Sequence, residues 1–171
     1  FITFESAQVD LKVDKGSTNT ATYQIYSSQI TSASRSFNVV VSDDTTADPA
    51  SYSIPTTVTI PADSNTATLT VGVEDINIIS SKILVLKLEQ TSGLIIGNDN
   101  EFTINLLRIC VSSIAGAYTY GIGKPVTVTE TSPNNYEVSG DNAFASDYPF
   151  NINDACDVIT VTGGFLPDAY G

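Results

Sequence analysis

The chain has no histidine, no tryptophan and no methionine, and only two cysteines and seven basic residues among 171. Without imidazole there is no Ser-His-Asp or Cys-His arrangement, and two cysteines alone do not make a four-ligand transition-metal site. Paired carboxylates would still serve a glycosidase. The acidic pairs Asp43/Asp44 and Glu74/Asp75, however, are sequence neighbours, so in extended chain their side chains point to opposite faces. The chain therefore reads as a non-enzyme. The lack of tryptophan removes the strongest stacking platform for a sugar. Seven basic residues against nineteen acidic ones give a net charge of −12. That leaves no basic stripe for nucleic acid and works against an anionic membrane surface. No segment approaches the roughly 18 apolar residues of a membrane span, and no stretch of eleven residues holds a helical period.

What is present is strand pattern. Short Val/Ile/Leu/Thr/Tyr runs recur between turn residues, the signature of an all-β chain. Strands are expected at Ile2–Phe4, Val9–Val13, around Ala21–Ile25, and at Phe37–Val41, Thr57–Ile60, Ala67–Val73, Ile83–Leu88 and Phe102–Leu107. Leu69, Val71 and Val73 alternate with Thr68 and Thr70, giving one core face and one wet face. In Leu84, Leu86 and Leu88 the intervening Ile83 and Val85 are apolar too, which predicts a central strand buried on both sides. Asp48-Pro49, Ile54-Pro55, Pro61 to Asn65, Ser92-Gly93 and Gly97 to Asn100 supply turns. Near residue 110 the composition changes to small residues with Tyr118 and Tyr120. Further strands follow at Val126–Thr129, Tyr136–Val138, Tyr148–Ile152 and Val158–Val161. Two domains are expected, 1–109 and 110–171, the second small and incomplete by itself. The chain opens directly on a strand and closes on an unfinished Phe165–Gly171 segment. It is expected to be a fragment of a longer, exported protein whose leader has been removed or lies upstream.

The first domain resembles the Calx-beta family. The resemblance is carried by the opening Ile2-Thr3-Phe4 strand, Val9-Asp10-Leu11-Lys12-Val13, and the strand ending at Val41-Ser42-Asp43-Asp44. It extends through the loop from Thr46 to Tyr52, the apparent hairpin from Val58 through Pro61 to Val71, the acidic pair Glu74-Asp75, and Leu84 to Leu88. It implies an immunoglobulin-like antiparallel β-sandwich, extracellular or regulatory in role, with Ca²⁺ held by loops in some members. The whole arrangement is similar to Bacteroidetes surface lipoproteins in which such a sandwich precedes a small β domain opening on Gly-Xaa-Tyr-Thr, here Gly116-Ala117-Tyr118-Thr119. This implies an exported module anchored to the outer membrane, with any lipid anchor outside this segment. The module would act as a spacer or protein-interaction domain in a nutrient-acquisition or adhesion complex. The alternatives are a Ca²⁺-dependent adhesion module and a glycan-binding accessory protein.

The resemblance points to Glu5, Asp44 and Asp75 as Ca²⁺ ligands, with Asp44 and Asp75 expected within about 5 Å of each other. The family's following acidic cluster is replaced here by Ile76 to Lys82, which lowers the site's charge and its expected affinity. Cys110 and Cys156 are expected to form a disulfide, as suits an exported protein; the alternative is two buried free thiols. Tyr118, Tyr120, Tyr136, Tyr148 and Tyr170 are the candidate glycan platform, set against a role as core fillers. Asp44-Thr45-Thr46 resembles a Bacteroidetes O-glycosylation sequon.

Overall fold

The structure, a computed structural model, describes residues 1–89, 96–97, 100–121, 123–140, 149–156 and 158–164. The segments around Ser92-Gly93 and Asn98-Asp99, together with Tyr148 and 165–171, lie outside the described residues. Backbone contacts gather the chain into two compact units, Phe1–Ile109 and Cys110–Gly171.

The first unit is a β-sandwich. One sheet contains β1 (Ile2–Phe4), β3 (Thr18–Ser27), β7 (Thr66–Glu74) and β5 (Tyr52–Ser53), in the order β1-β3-β7-β5. The other has the order β2-β9-β8-β4-β6 and is built from β2 (Gln8–Asp14), β9 (Glu101–Ile109), β8 (Lys82–Glu89), β4 (Arg35–Val41) and β6 (Thr57–Ile60). Its only helical element among the described residues is a single 3₁₀ turn at Pro49–Ser51, capped by Asp48, whose carboxylate accepts from the Ala50 amide. The expected alternation is realised. Leu69, Val71 and Val73 are buried between the sheets while Thr68 and Thr70 are exposed. They pack with Leu84, Leu86 and Leu88 of β8 and with Phe37, Ile104 and Leu106 in one core.

Strand β8 lies between β9 and β4, as its doubly apolar pattern predicts. Val85, pointing away from the core, is still only 4% exposed. Residues 42–47 run on past β4 along the edge of β8, with the Ser42 amide donating to Val85 O and Thr45 Oγ1 accepting from the Val85 amide. This also settles the place of the Asp44-Thr45-Thr46 motif: the Thr45 hydroxyl is already bonded to both backbone groups of Val85.

Two features differ from the sequence reading. The Val58–Val71 segment is not a hairpin, because β6 pairs with β4 in one sheet and β7 with β3 in the other. Pro61 to Asn65 therefore crosses between layers. Sequence distance across a turn cannot tell these cases apart, since both strands bury one face in the same core. Second, β2 pairs with β9 in parallel, from Gln8↔Thr103 to Asp14↔Ile109. The chain passes from β1 to β2 without reversing, so it changes sheet while keeping its direction.

The second unit is a meander, β10 (Gly116–Tyr120), β11 (Lys124–Ser132), β12 (Asn135–Gly140), β13 (Phe150–Ala155) and β14 (Val158–Gly163), paired in sequence order. The β11–β12 turn is Pro133-Asn134, with Asn134 at φ 62°. Proline presets the first turn position, and asparagine tolerates the left-handed second one. Asn134 then holds the start of the unit: its Nδ2 donates to Cys110 O at 2.7 Å and its Oδ1 accepts from the Ser112 amide. Cys110 and Cys156 are joined by a disulfide. No helix among the described residues is long and apolar enough to cross a membrane.

Candidate functional site

The residues expected to bind Ca²⁺ are not brought together. Asp44 is exposed and lies 4.0 Å from Lys87 Nζ, which itself contacts Glu101 at 2.9 Å, at the start of β9. Asp75 sits at the opposite end of β9, where Arg108 Nε contacts its carboxylate at 2.6 Å. Glu5 is paired with Gln24, whose backbone oxygen accepts from the Glu5 amide, while Asp75 is paired with Ser17 in the same way. Along β3 that places Glu5 and Asp75 about 23 Å apart, seven residues at about 3.3 Å each. Among the described residues no three acidic, cysteine or histidine side chains converge to hold a metal ion.

Asp75 itself is committed. Its side chain is 3% exposed. Burial pushes the carboxyl up, but hydrogen bonds from Arg108 and the Gly16 amide, with the charges of Arg108 and Lys15, outweigh it and leave the group below its usual range. Gly16, at φ 70°, occupies the tight turn closed by the Ser17 amide on Asp14 O, and this turns its own N–H toward Asp75 at 2.8 Å. A hard cation needs six to eight oxygens. Here a guanidinium already fills the cationic role, and the donor set does not fit a Ca²⁺ ion. Asp48 is held below its usual range by the Ala50 amide and by Asn77, a capping arrangement.

The tyrosines do not form a platform. Tyr136 is fully buried in the second unit, and its hydroxyl has no hydrogen-bond partner among the described residues. Tyr118 is 47% exposed and donates to Ile114 O. The side chains of Tyr120, Tyr148 and Tyr170 fall outside the described residues.

A site that the sequence reading missed lies in the first unit. A groove of about 510 Å³ runs beside β7, with Thr20, Thr68 and Thr70 on its sheet side and Thr57 and Thr59 on β6 opposite; Ser53, Ile54 and Pro55 close one end. The hydroxyls of Thr20, Ser53, Thr57 and Thr70 make no hydrogen bond among the described residues. The groove has strand edges along both sides. Among the described residues β5 pairs with β7 only at Tyr52↔Val73 and Ser53↔Gly72, leaving that side of residues 66–71 unpaired, and β6 pairs only with β4. A Cβ at Gly72 would meet the rotatable Ser53 hydroxyl, while the Ser53 backbone stays at ordinary contact distance. The Thr-Xaa-Thr alternation signalled a wet face. The groove itself depends on β6 and β7 belonging to different sheets, which no local pattern shows.

No protein-family model matches this sequence, and no curated protein does. Solved structures share its fold. CBD12 from CALX1.2 superposes with a TM-score of 0.56 at 12% identity, over 96% of this chain and 74% of that one. A candidate carbohydrate binding protein from Bacteroides ovatus gives 0.54 at 13% identity, over 96% of this chain and 60% of that one. An auxiliary nutrient binding protein from Bacteroides thetaiotaomicron gives 0.51 at 11% identity, over 92% and 70%. The fold is Calx-beta-like. The chain spans three fifths of the Bacteroides ovatus protein's length.

Proposed function

We propose that this chain is a non-enzymatic, exported cell-surface module that holds a partner in the groove beside β7. The observation that carries this reading is the combination in one groove of uncommitted hydroxyls and unpaired strand edges. Such a surface suits an extended, hydrogen-bonding ligand, the situation in which a peptide segment adds to a sheet edge. The disulfide supports an oxidising, extracytoplasmic location. Anchoring to an outer membrane, within a nutrient-acquisition or adhesion complex, extends this reading by analogy with the similar folds.

The test is a photo-cross-linking residue at Thr59, with an equivalent probe at exposed Lys12 as control, in the native organism's surface fraction. A discrete protein adduct at Thr59 alone, lost on Thr70→Arg, supports the groove. Equal labelling from Lys12 overturns it.

A glycan is the second reading, favoured by the hydroxyl lining and by the carbohydrate and nutrient binding ascribed to two proteins of similar fold. It predicts retardation of the chain in polysaccharide-containing native gels, abolished by Thr70→Arg. Calcium-dependent adhesion has a direct test as well: it requires thermal unfolding to move on adding Ca²⁺ or EDTA.

A further inference from the structure

A second cavity, of about 280 Å³, opens between the two sheets where the chain leaves β1 for β2. Its inner wall is aromatic. Phe4 stacks on Phe102 with ring centroids 5.1 Å apart, and Tyr23 meets the same ring edge-on at 4.9 Å. Val9 extends this wall, and Glu5 stands at the mouth with Gln24. One oxygen of Glu5 accepts from the Gln24 amide at 3.3 Å, and no basic group reaches ion-pair distance among the described residues. The Tyr23 hydroxyl has no hydrogen-bond partner among them either.

The chemistry selects a ligand class. Phosphates and carboxylates are disfavoured by Glu5 and by the net charge of −12. A neutral apolar ligand would cover the Glu5 carboxylate without replacing the water it loses. A cation on an alkyl stem matches both halves of the cavity: the stem covers apolar surface while the head keeps a polar contact, and aromatic faces attract the head. We propose that this cavity binds an alkylammonium group, its stem against Phe4, Val9 and Tyr23 and its head on Glu5. The site is separate from the groove, and neither reading depends on the other.

The experiment is an amide chemical-shift titration of the whole chain with n-butylammonium, with the capped tripeptide acetyl-Gly-Lys-Gly-amide, and with n-butanol as the neutral control. Saturable shifts confined to the amides of residues 4–9, 23–24 and 102 are expected for the two cations, with n-butanol at least tenfold weaker. Glu5→Gln, at an exposed position, should weaken cation binding at least tenfold while leaving the rest of the spectrum unchanged. Ser6→Trp should block the mouth and abolish binding, whereas Thr70→Arg should have no effect. Tighter binding of n-butylammonium identifies a free amine as the natural occupant; tighter binding of the tripeptide identifies a partner protein's lysine. The proposal is overturned if n-butanol binds as well as the cations, if Glu5→Gln leaves their binding unchanged, or if shifts spread over the acidic surface without saturating.

Discussion

Asp75 and Arg108 form the pair on which the end of the sandwich depends. Arg108→Gln would leave a carboxylate that is 3% exposed with the Gly16 amide as its remaining close hydrogen-bond partner. Breaking one side of such a pair costs about 3 kcal/mol, to be read as a lowered urea midpoint at neutral pH. Because the folded Asp75 carboxyl lies below its usual range, its contribution is complete above the unfolded value of about 3.9. It is lost as pH falls through the lower folded value. Asp75→Asn should flatten the dependence of stability on pH below about 4 while leaving a weaker protein at neutral pH. Tyr136 behaves oppositely. Its hydroxyl is buried with no hydrogen-bond partner among the described residues, so Tyr136→Phe should be neutral or stabilise by up to about 1 kcal/mol, measured by the same denaturation curve. Arg35 fits neither pattern: Ser27 Oγ, Gln29 O and Ser64 O hold its guanidinium with neutral oxygens.

Among the elements, Leu86→Ala in β8 should cost about 3 kcal/mol, since the residue is fully buried in a strand enclosed on both edges. In the second unit, reducing Cys110–Cys156 opens a link across 46 residues. On the chain-entropy model this removes about 4 kcal/mol. Scanning calorimetry with and without reductant should show loss of the transition belonging to residues 110–171 while that of 1–109 stays in place. Strand positions and faces were readable where a strand buries one side, as in β7, so residues such as Leu69 and Thr70 reveal their orientations locally. Two-residue β5 was not readable, being held by its pairing with Val73 and Gly72 rather than by any run of its own. Gly116–Tyr120 gave little signal because it is short and, apart from its two tyrosines, holds small residues and no aliphatic run. The acidic residues were visible, but their grouping was not. Asp44 and Asp75 sit at opposite ends of β9 through partners, Lys87 and Arg108, that lie far from them in sequence. The groove was hidden for the same reason, since its walls come from two sheets.

For the whole molecule, the acidic surface and the committed Asp75 lead to one plain expectation: unfolding curves in Ca²⁺ and in excess EDTA should coincide. A shift of several degrees would overturn that expectation, and its loss in Asp75→Asn would place the cation at Asp75. The parallel pairing of β2 with β9 has a different consequence. Pulled apart by its two ends, the first unit would have its opening strand drawn one way and its closing strand the other. From Gln8↔Thr103 to Asp14↔Ile109 the whole ladder would then be loaded along its length, and its bonds would have to yield together. An antiparallel neighbour pulled from one end would instead unzip a bond at a time. A chain loaded through these two strands would resist tension most strongly along that line.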